Sequence, residues 1–353
     1  MLDKELCEKV LTVGCFYKRP TGGISQVLHT YGQHIFMPYK FVATTSKGGK
    51  VAKLCRLAAS IVKFVAMMVL DWRIKIVHIH TASNNSFRRK SIFVNIGKVF
   101  GKRVVMHVHS GAFLDFYRRS QMAVKPILDK CDAVVALSDF WKEALQKQCG
   151  VGNVCVIDNV ICHPGTTDKA VTKDKTRIHL LFLGLCKKEK GLFDLLNVFV
   201  NHQDELRGRC VLHVCCDKQD EVRHIAADAG VDDIVSSEGW VSGMDKERLL
   251  ERCDVYVLPS YFEGVPISIL ECMSHGMAVV ASDVGGIPSV VAQGRNGILF
   301  EAGNTGQLYD AVTRLASDRE LVDKMGKESR AMVKRYYPEH VAQELKELYE
   351  SLL

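Results

Sequence analysis

The sequence predicts an α/β protein built as two parallel sheets, each wrapped by helices. Three observations carry that prediction. Short β-branched apolar runs recur along the chain, helical patterns separate them, and the alternation halts once near residues 162–175 before restarting. The runs at 11–16, 75–80, 103–109, 133–137 and 154–157 are apolar on both faces, as buried parallel strands must be. Helical patterns at 24–34, 50–70, 90–100 and 139–148 lie between them. Residues 162–170, Cys-His-Pro-Gly-Thr-Thr-Asp-Lys-Ala, have the composition of a linker. Runs at 178–183, 209–215, 235–236, 255–258, 278–282 and 297–300 then repeat the theme, again with helices between. The expected product is a pair of Rossmann-like domains facing across a cleft, 1–165 and 166–339, with ligands at the carboxyl ends of the strands.

Composition narrows the function classes. A chain of 353 residues that is 47% hydrophobic and 25% charged is neither disordered, collagen-like nor coiled coil. Its 13 cysteines are odd in number and contain no C-x-x-C pair, which suits reduced thiols in a cytosolic protein better than a disulfide framework. The first ten residues alternate charges instead of forming an apolar signal core. The longest apolar stretch, 54–70, is interrupted by Arg56 and Lys63, so no membrane span is expected. Residues 1–165 hold 24 Lys and Arg against 10 Asp and Glu, a net +14, whereas residues 166–353 carry −7. A basic half beside an acidic half points to a polyanionic partner for the first. Nucleic acid is not expected, because no zinc-finger, RNP or basic-zipper pattern accompanies the charge. An anionic membrane surface, met peripherally from the cytoplasmic side, is the alternative.

The most specific stretch is Pro259-Ser-Tyr-Phe-Glu-Gly-Val-Pro-Ile-Ser-Ile-Leu-Glu271. A strand ends, a loop carries Glu263 and Gly264, Pro266 suits the first turn of a helix, and Gly276 ends it. Such a helix start offers backbone N–H groups and a positive dipole end, a seat for phosphate. Carboxylates beside that seat suit the hydroxyls of a sugar and a ribose, since phosphates would repel them.

This pattern resembles the Glu-x7-Glu signature of retaining glycosyltransferases of family 4, bacterial surface-polysaccharide type, with the GT-B fold. The resemblance extends through Lys190-Gly191, Gly239-Trp-Val-Ser242, Asp283-Val-Gly-Gly-Ile-Pro288 and Asn296-Gly297. It implies that Glu271 binds the nucleotide ribose and Glu263 the donor sugar. It also implies that Gly264 and Val265, beside Pro266, help hold donor sugar and phosphates through backbone N–H groups. The second phosphate element, Phe182-Leu-Gly-Leu-Cys-Lys-Lys-Glu-Lys-Gly191, places Gly184 at a turn and Lys190 at a helix entrance. Two positions depart from the family: Leu185 stands where an Arg is usual, and Ser289 where a Glu is usual. Lys187 and Lys188 could replace the missing Arg or simply be solvated surface charge.

In the first half, Lys18-Arg-Pro-Thr-Gly-Gly-Ile-Ser25 follows a strand and opens a helix. Its Gly22 and Gly23 resemble the family's donor-phosphate loop. His78/His80 and His107/His109 share strand faces two by two, a metal-ligand spacing. With no Cys or carboxylate cluster to complete it, the core reading stands for His78 and His107. His109-Ser-Gly-Ala-Phe113 resembles the family's His–Gly loop, which makes His109 the catalytic-site residue, positioning the donor by hydrogen bonding. On the helix at 50–70, Lys53, Arg56, Ser60 and Lys63 form a polar, largely basic stripe, with Leu54, Leu57, Ile61, Phe64 and Met68 opposite. That stripe fits either a solvated face or contact with an anionic leaflet. Arg88-Arg-Lys90, Lys102-Arg103 and Arg118-Arg119 would enlarge it.

The expected reaction moves a sugar from a nucleotide-sugar, UDP-linked by preference, to a hydroxyl of a lipid-linked or growing polysaccharide. Retention would follow from front-side attack, with Lys190 meeting the charge on the leaving phosphate. No D-x-D pair occurs, so neither metal nor other cofactor is expected. The last helix, about 340–353, is expected to cross back to the first domain. Alternatives on the same fold are a nucleotide-sugar epimerase, a phosphorylase, or a donor-binding scaffold without catalysis.

Overall fold

The computed structural model describes residues 1–18, 20, 22–45, 49–165 and 176–353. Most of the expected linker therefore lies outside the described residues, as do Arg19 and Thr21 of the N-terminal loop. The chain forms two compact units, Met1–Cys162 with Arg335–Leu353, and His163–Lys334.

Unit 1 holds six strands: β1 (Val10–Gly14), β2 (Phe41–Ala43), β3 (Ile76–Thr81), β4 (Arg103–Val108), β5 (Ala133–Ala136) and β6 (Val154–Val156). They pair in parallel in the order β2-β1-β3-β4-β5-β6. Its helices are α1 (Lys4–Lys9), α2 (Gly23–Thr30), α3 (Lys50–Leu70), α4 (Asn85–Val99), α5 (Phe113–Lys130) and α6 (Asp139–Cys149). The chain turns one way from β1 to β2 and the other way from β3 onward. Right-handed crossovers therefore put α2 on one face of the sheet and α3 to α6 side by side on the other. Between them and the sheet lies the core, where Phe64 of α3 meets Phe93 of α4 edge-on at 5.2 Å.

The strand β2 is absent from the sequence reading because only Phe41, Val42 and Ala43 build it, at an edge. Helix α2 also stops sooner than the periodicity suggests, passing at Tyr31–Ile35 into a wider π-helical turn. The unit closes with a C-terminal segment. Ile161 N–H donates to the Tyr336 carbonyl at 3.0 Å, and Arg335 Nε donates to Asp158 Oδ2 at 2.6 Å.

Unit 2 holds β7 (Ile178–Leu183), β8 (Cys210–Cys215), β9 (Val235–Ser237), β10 (Val255–Leu258), β11 (Ala278–Ser282) and β12 (Gly297–Phe300), in the order β12-β11-β10-β7-β8-β9. Helices α7 (Leu192–Asn201), α8 (Gln203–Leu206), α9 (Gln219–Asp228), α10 (Gly243–Arg252), α11 (Ile267–Ser274), α12 (Thr305–Ala316) and α13 (Arg319–Met332) connect and flank them. The final helix, α14 (Pro338–Leu352), belongs to unit 1. Both units are thus doubly wound parallel sheets. Each has a point where the winding reverses, between β1 and β3 in unit 1 and between β7 and β10 in unit 2.

Candidate active site

The reversal point of unit 2 gathers most of the residues singled out from sequence. After β7, Gly184 N–H donates to the Cys215 carbonyl at 3.1 Å, and Cys186 N–H donates to Asp217 Oδ1 at 2.7 Å. The loop then reaches Gly191, which has φ +67°. A Cβ there would stand 1.9 Å from the Pro259 carbonyl oxygen, so only glycine lets this loop meet the one after β10. Tyr261 N–H donates to the Glu189 carbonyl at 2.9 Å and fastens the two loops together. The result is an ion pair: Lys190 Nζ lies 2.5 Å from Glu263 Oε1. Glu263 is only 10% exposed, which makes the attraction stronger than that of a surface pair.

Glu271 has a second cation. Its Oε2 lies 2.7 Å from Lys246 Nζ in the first turn of α10. Burial alone would lower the Lys246 pKa, but the Glu271 carboxylate outweighs it and raises the value above the ordinary one. Lys246 is a site residue that sequence reasoning missed. Its one signal was its place just after Gly239-Trp-Val-Ser242. Pro266 is buried and stands immediately before α11 instead of inside its first turn. Gly264 and Val265 are buried too, and Gly286 packs so closely that a Cβ on it would come 2.1 Å from the Gly264 carbonyl oxygen. The Ser289 hydroxyl donates to the Gly286 carbonyl at 2.6 Å, so this residue closes its own turn. Lys187 and Lys188 are exposed and Leu185 is half-buried.

Unit 1 carries the remaining candidates, and their chemistry differs. Gly22 precedes α2 in extended backbone, donates its N–H to Ser25 Oγ at 3.0 Å and accepts from that hydroxyl at 2.7 Å. A Cβ on Gly22 would meet nothing within 4 Å, which leaves the helix start open above it, and Gly23 begins the helix. The register that pairs His80 with His107 stacks four imidazoles at the ends of β3 and β4. Ring centroids are 4.4 Å apart for His78 and His80, 4.2 Å for His107 and His109. His78 Nδ1 and the Tyr349 hydroxyl share a hydrogen bond of 2.6 Å, and His80 Nδ1 lies 2.9 Å from His109 Nε2.

Burial pushes His78 down to about 3. Burial, with the charges of His78 and Lys90, brings His109 to about 3 as well. His80 and His107 are held well below the ordinary histidine range, burial again being the main cause. All four are neutral at pH 7, so His109 can offer a hydrogen bond but no positive charge. The core assignment of His78 and His107 fits their complete burial, although His107 Nε2 and His80 Nε2 have no partner among the described residues. His78, His80 and His107 bring ligand-type atoms within 4.8 Å of one another. His78 Nε2 and His107 Nδ1 face each other at 3.3 Å, a contact that engages both nitrogens with each other.

Beside this stack, Lys90 is 2% exposed. Its Nζ donates to Ser86 Oγ at 2.9 Å, and among the described residues no carboxylate pairs with it. Burial brings its pKa down to about 8. The basic residue expected on the surface at this position is therefore interior, and Lys90 leaves the basic patch.

A family model for glycosyl transferases group 1 matches residues 165–332, and one for Glycosyltransferase Family 4 matches residues 27–162. The chain belongs to glycosyltransferase family 4. Among its relatives, the N,N'-diacetylbacillosaminyl-diphospho-undecaprenol alpha-1,3-N-acetylgalactosaminyltransferase of Campylobacter jejuni is 31% identical over 31% of this chain and 29% of its own length. The alpha-maltose-1-phosphate synthase of Mycolicibacterium smegmatis is 26% identical over 67% of each. The match thus spans under a third of the first relative and about two thirds of the second. HepE of Anabaena, solved with UDP, superposes with a TM-score of 0.76 at 16% identity, covering 97% of this chain and 100% of that one. Sucrose-phosphate synthase of Thermosynechococcus elongatus does so at 0.76 and 16%, covering 98% and 99%. The fold of this family 4 chain is GT-B, two Rossmann-like domains with six-stranded parallel sheets.

Proposed function

We propose that the chain transfers a sugar from a nucleotide-sugar, UDP-linked by preference, to a hydroxyl of a lipid-linked or growing polysaccharide, with retention at the anomeric carbon. The observation that carries this reading is the pair of lysine–carboxylate contacts at the reversal point of unit 2, Lys190–Glu263 and Lys246–Glu271. Both carboxylates sit where ligands of doubly wound sheets bind. A donor replaces the first contact: its phosphates draw Lys190 and its sugar hydroxyls take up Glu263. The second contact persists, with Lys246 holding charge against Glu271 while that carboxylate accepts the ribose hydroxyls. In this reading the Gly22–Gly23 loop, Gly184, Gly264, Val265 and Pro266 line the donor, and His109 orients its sugar.

The chemistry needs no metal in this scheme. As the glycosidic bond to phosphate breaks, negative charge grows on the leaving oxygen, and Lys190 offsets it. The acceptor hydroxyl attacks the same face and passes its proton to that phosphate. Two solved structures of one compared protein support the donor class, since HepE was solved with UDP-glucose and with UDP and glucose. The basic charge of residues 1–165 supports an anionic membrane surface as the place where a lipid-linked acceptor is met. Among the described residues no helix is long and apolar enough to cross a membrane.

The test is a panel of nucleotide-sugars, first by thermal shift, since each bound donor stabilises the native state by RT ln(1 + [L]/Kd), then by NMR of the product. Transfer with the donor's anomeric configuration retained supports the reading. An inverted sugar formed without acceptor indicates an epimerase, sugar 1-phosphate formed from glycan and phosphate indicates a phosphorylase, and binding without turnover indicates a scaffold.

A further inference from the structure

Helix α3 is apolar nearly all the way round, yet it lies on the outside of unit 1. Ser60, Phe64 and Met68 are buried, and Leu57, Ile61 and Met67 pack partly against the core. These six define the inner face. Two assignments from sequence are thereby corrected: Ser60 belongs to the packed face and not to the basic stripe, whereas Leu54 points to solvent. At 100° per residue, the direction opposite Ser60, Phe64 and Met68 is taken by Val51, Cys55, Ala58, Val62 and Val69. All of these are exposed. Val51, Leu54, Val62, Val69 and Leu70 are each between 64% and 82% exposed, and Trp72, just past the helix end, is 75% exposed.

An unpartnered apolar face about 30 Å long implies something that covers it. Its charges say what. The helix carries Lys50, Lys53, Arg56 and Lys63 and no acidic residue. Lys53, Arg56 and Lys63 are exposed, and the Lys63 ammonium reaches the Phe41 carbonyl at the sheet edge, 2.9 Å away. The neighbouring helices of the same layer present Arg88, Arg118 and Arg119. A second copy of this chain would set these cations against themselves, because an isologous contact pairs like surfaces.

We propose that the outer face of α3 is a membrane-docking surface that lies in the plane of an anionic bilayer. Val51, Val62, Val69 and Leu70 enter the headgroup–acyl boundary, Trp72 sits at headgroup level beside Lys75, whose ammonium is 5.7 Å from the ring centre, and Arg56 and Lys63, on the flank of that face, meet lipid phosphates. The proposal deepens the membrane reading above by naming the surface, and it rests on that reading for its purpose.

The test is co-sedimentation with vesicles, one set of phosphatidylcholine alone and one with half phosphatidylglycerol, in the absence of donor and acceptor. The wild type is expected to bind the anionic vesicles at least about tenfold more tightly, and to lose most of that preference in 1 M salt as the Debye length falls from about 10 to about 3 Å. Val62→Glu with Val69→Glu should weaken binding by about tenfold or more at both salts, while Arg56→Glu with Lys63→Glu should remove the salt-sensitive part. These side chains are exposed, so circular dichroism should be unchanged. Transfer to a water-soluble acceptor should also be unchanged, and that control separates failure of docking from failure of the catalytic reading. Undiminished binding by Val62→Glu/Val69→Glu overturns the proposal. So does a wild-type dimer in sedimentation that this double variant dissolves, which would make a second copy the occupant.

Discussion

The reversal points of the two sheets occupy equivalent places, yet they hold polar groups in opposite ways. In unit 2 the candidate-site charges come in pairs, Lys190 with Glu263 and Lys246 with Glu271, each contact between 2.5 and 2.7 Å. In unit 1 four stacked histidines are desolvated, neutral and held together by hydrogen bonds, and among the described residues no carboxylate pairs with the buried Lys90 ammonium beside them. The difference separates two tasks. Paired charges can exchange a protein partner for a phosphate or a hydroxyl at little electrostatic cost, which suits the binding of a charged donor. Neutral imidazoles locked by neighbours cannot exchange protons at pH 7, but they present a hydrogen bond in a fixed direction, which suits orienting a sugar.

Acid should show the largest asymmetry. Histidines held far below 6.5 in the folded chain are protonated earlier in the unfolded one, so the unfolded state binds more protons between pH 6.5 and about 3. Stability contributed by the neutral stack is complete above pH 6.5 and is lost as pH falls through that window. Each fully buried member contributes up to about 2 kcal/mol of loss by pH 5, at about 1.4 kcal/mol per pH unit. Calorimetry at pH 5 in buffers of different ionisation heat should detect net proton uptake on unfolding, and replacing His78 by Gln should reduce it. Uptake that is unchanged in that variant would show that the stack does not govern acid unfolding.

Chemistry tests the same division. Glu263→Gln and His109→Ala are each expected to lower turnover at saturating donor by about a hundredfold, with nucleotide affinity changed by no more than about threefold. Both variants must first melt as cooperatively as the parent. Wild-type turnover in either removes that residue from the sugar site.

Lys90 gives the next effect. Its ammonium is fully present in both folded and unfolded chains below pH 8, so its desolvation cost is felt there and is relieved as pH rises from 8 toward 10.5. Lys90→Met should therefore stabilise the protein at pH 7 by up to about 3 kcal/mol, and the gain should fade by pH 10.5. A destabilised variant at pH 7 would mean that this ammonium is held by more than Ser86.

The smallest effect concerns Glu271. Glu271→Ala should cost nucleotide binding about 1.5–3 kcal/mol, tenfold or more in affinity. Because the single change strands Lys246, the double variant with Lys246→Met should recover thermal stability without recovering affinity. Unchanged affinity by titration calorimetry in Glu271→Ala refutes the ribose assignment.

Much of this arrangement was legible in the sequence, for physical reasons that also explain what was not. Buried parallel strands have to be apolar on both faces, which is why β7, β10, β11 and β12 coincide with their runs. A three-residue edge strand such as β2 buries too little to leave that mark. Glu263 and Glu271 stood out because glycine, proline and strand signals surround them. Lys246 did not, since any of several lysines could have supplied the charge and only the fold selects one. The helix α3 shows how narrow the margin is: spacings of three, four and three placed Ser60 with the cations, but the packed direction runs through Ser60, Phe64 and Met68. The two H-x-H pairs were visible one strand at a time, whereas their stacking depends on the β3–β4 register, which no local pattern records.

The hydrogen bond between His78 and Tyr349 joins residues 271 positions apart, with all of unit 2 between them. During synthesis, unit 2 is continuous and can fold as soon as it leaves the ribosome. The six strands of unit 1 emerge earlier but wait for α14. At roughly 5–20 residues per second, that wait is about ten seconds or more. Through that interval the nascent chain carries an unfinished first domain whose histidine stack has an open side. Loops closed over such separations form slowly, so the surface that α14 covers stays open until that helix arrives.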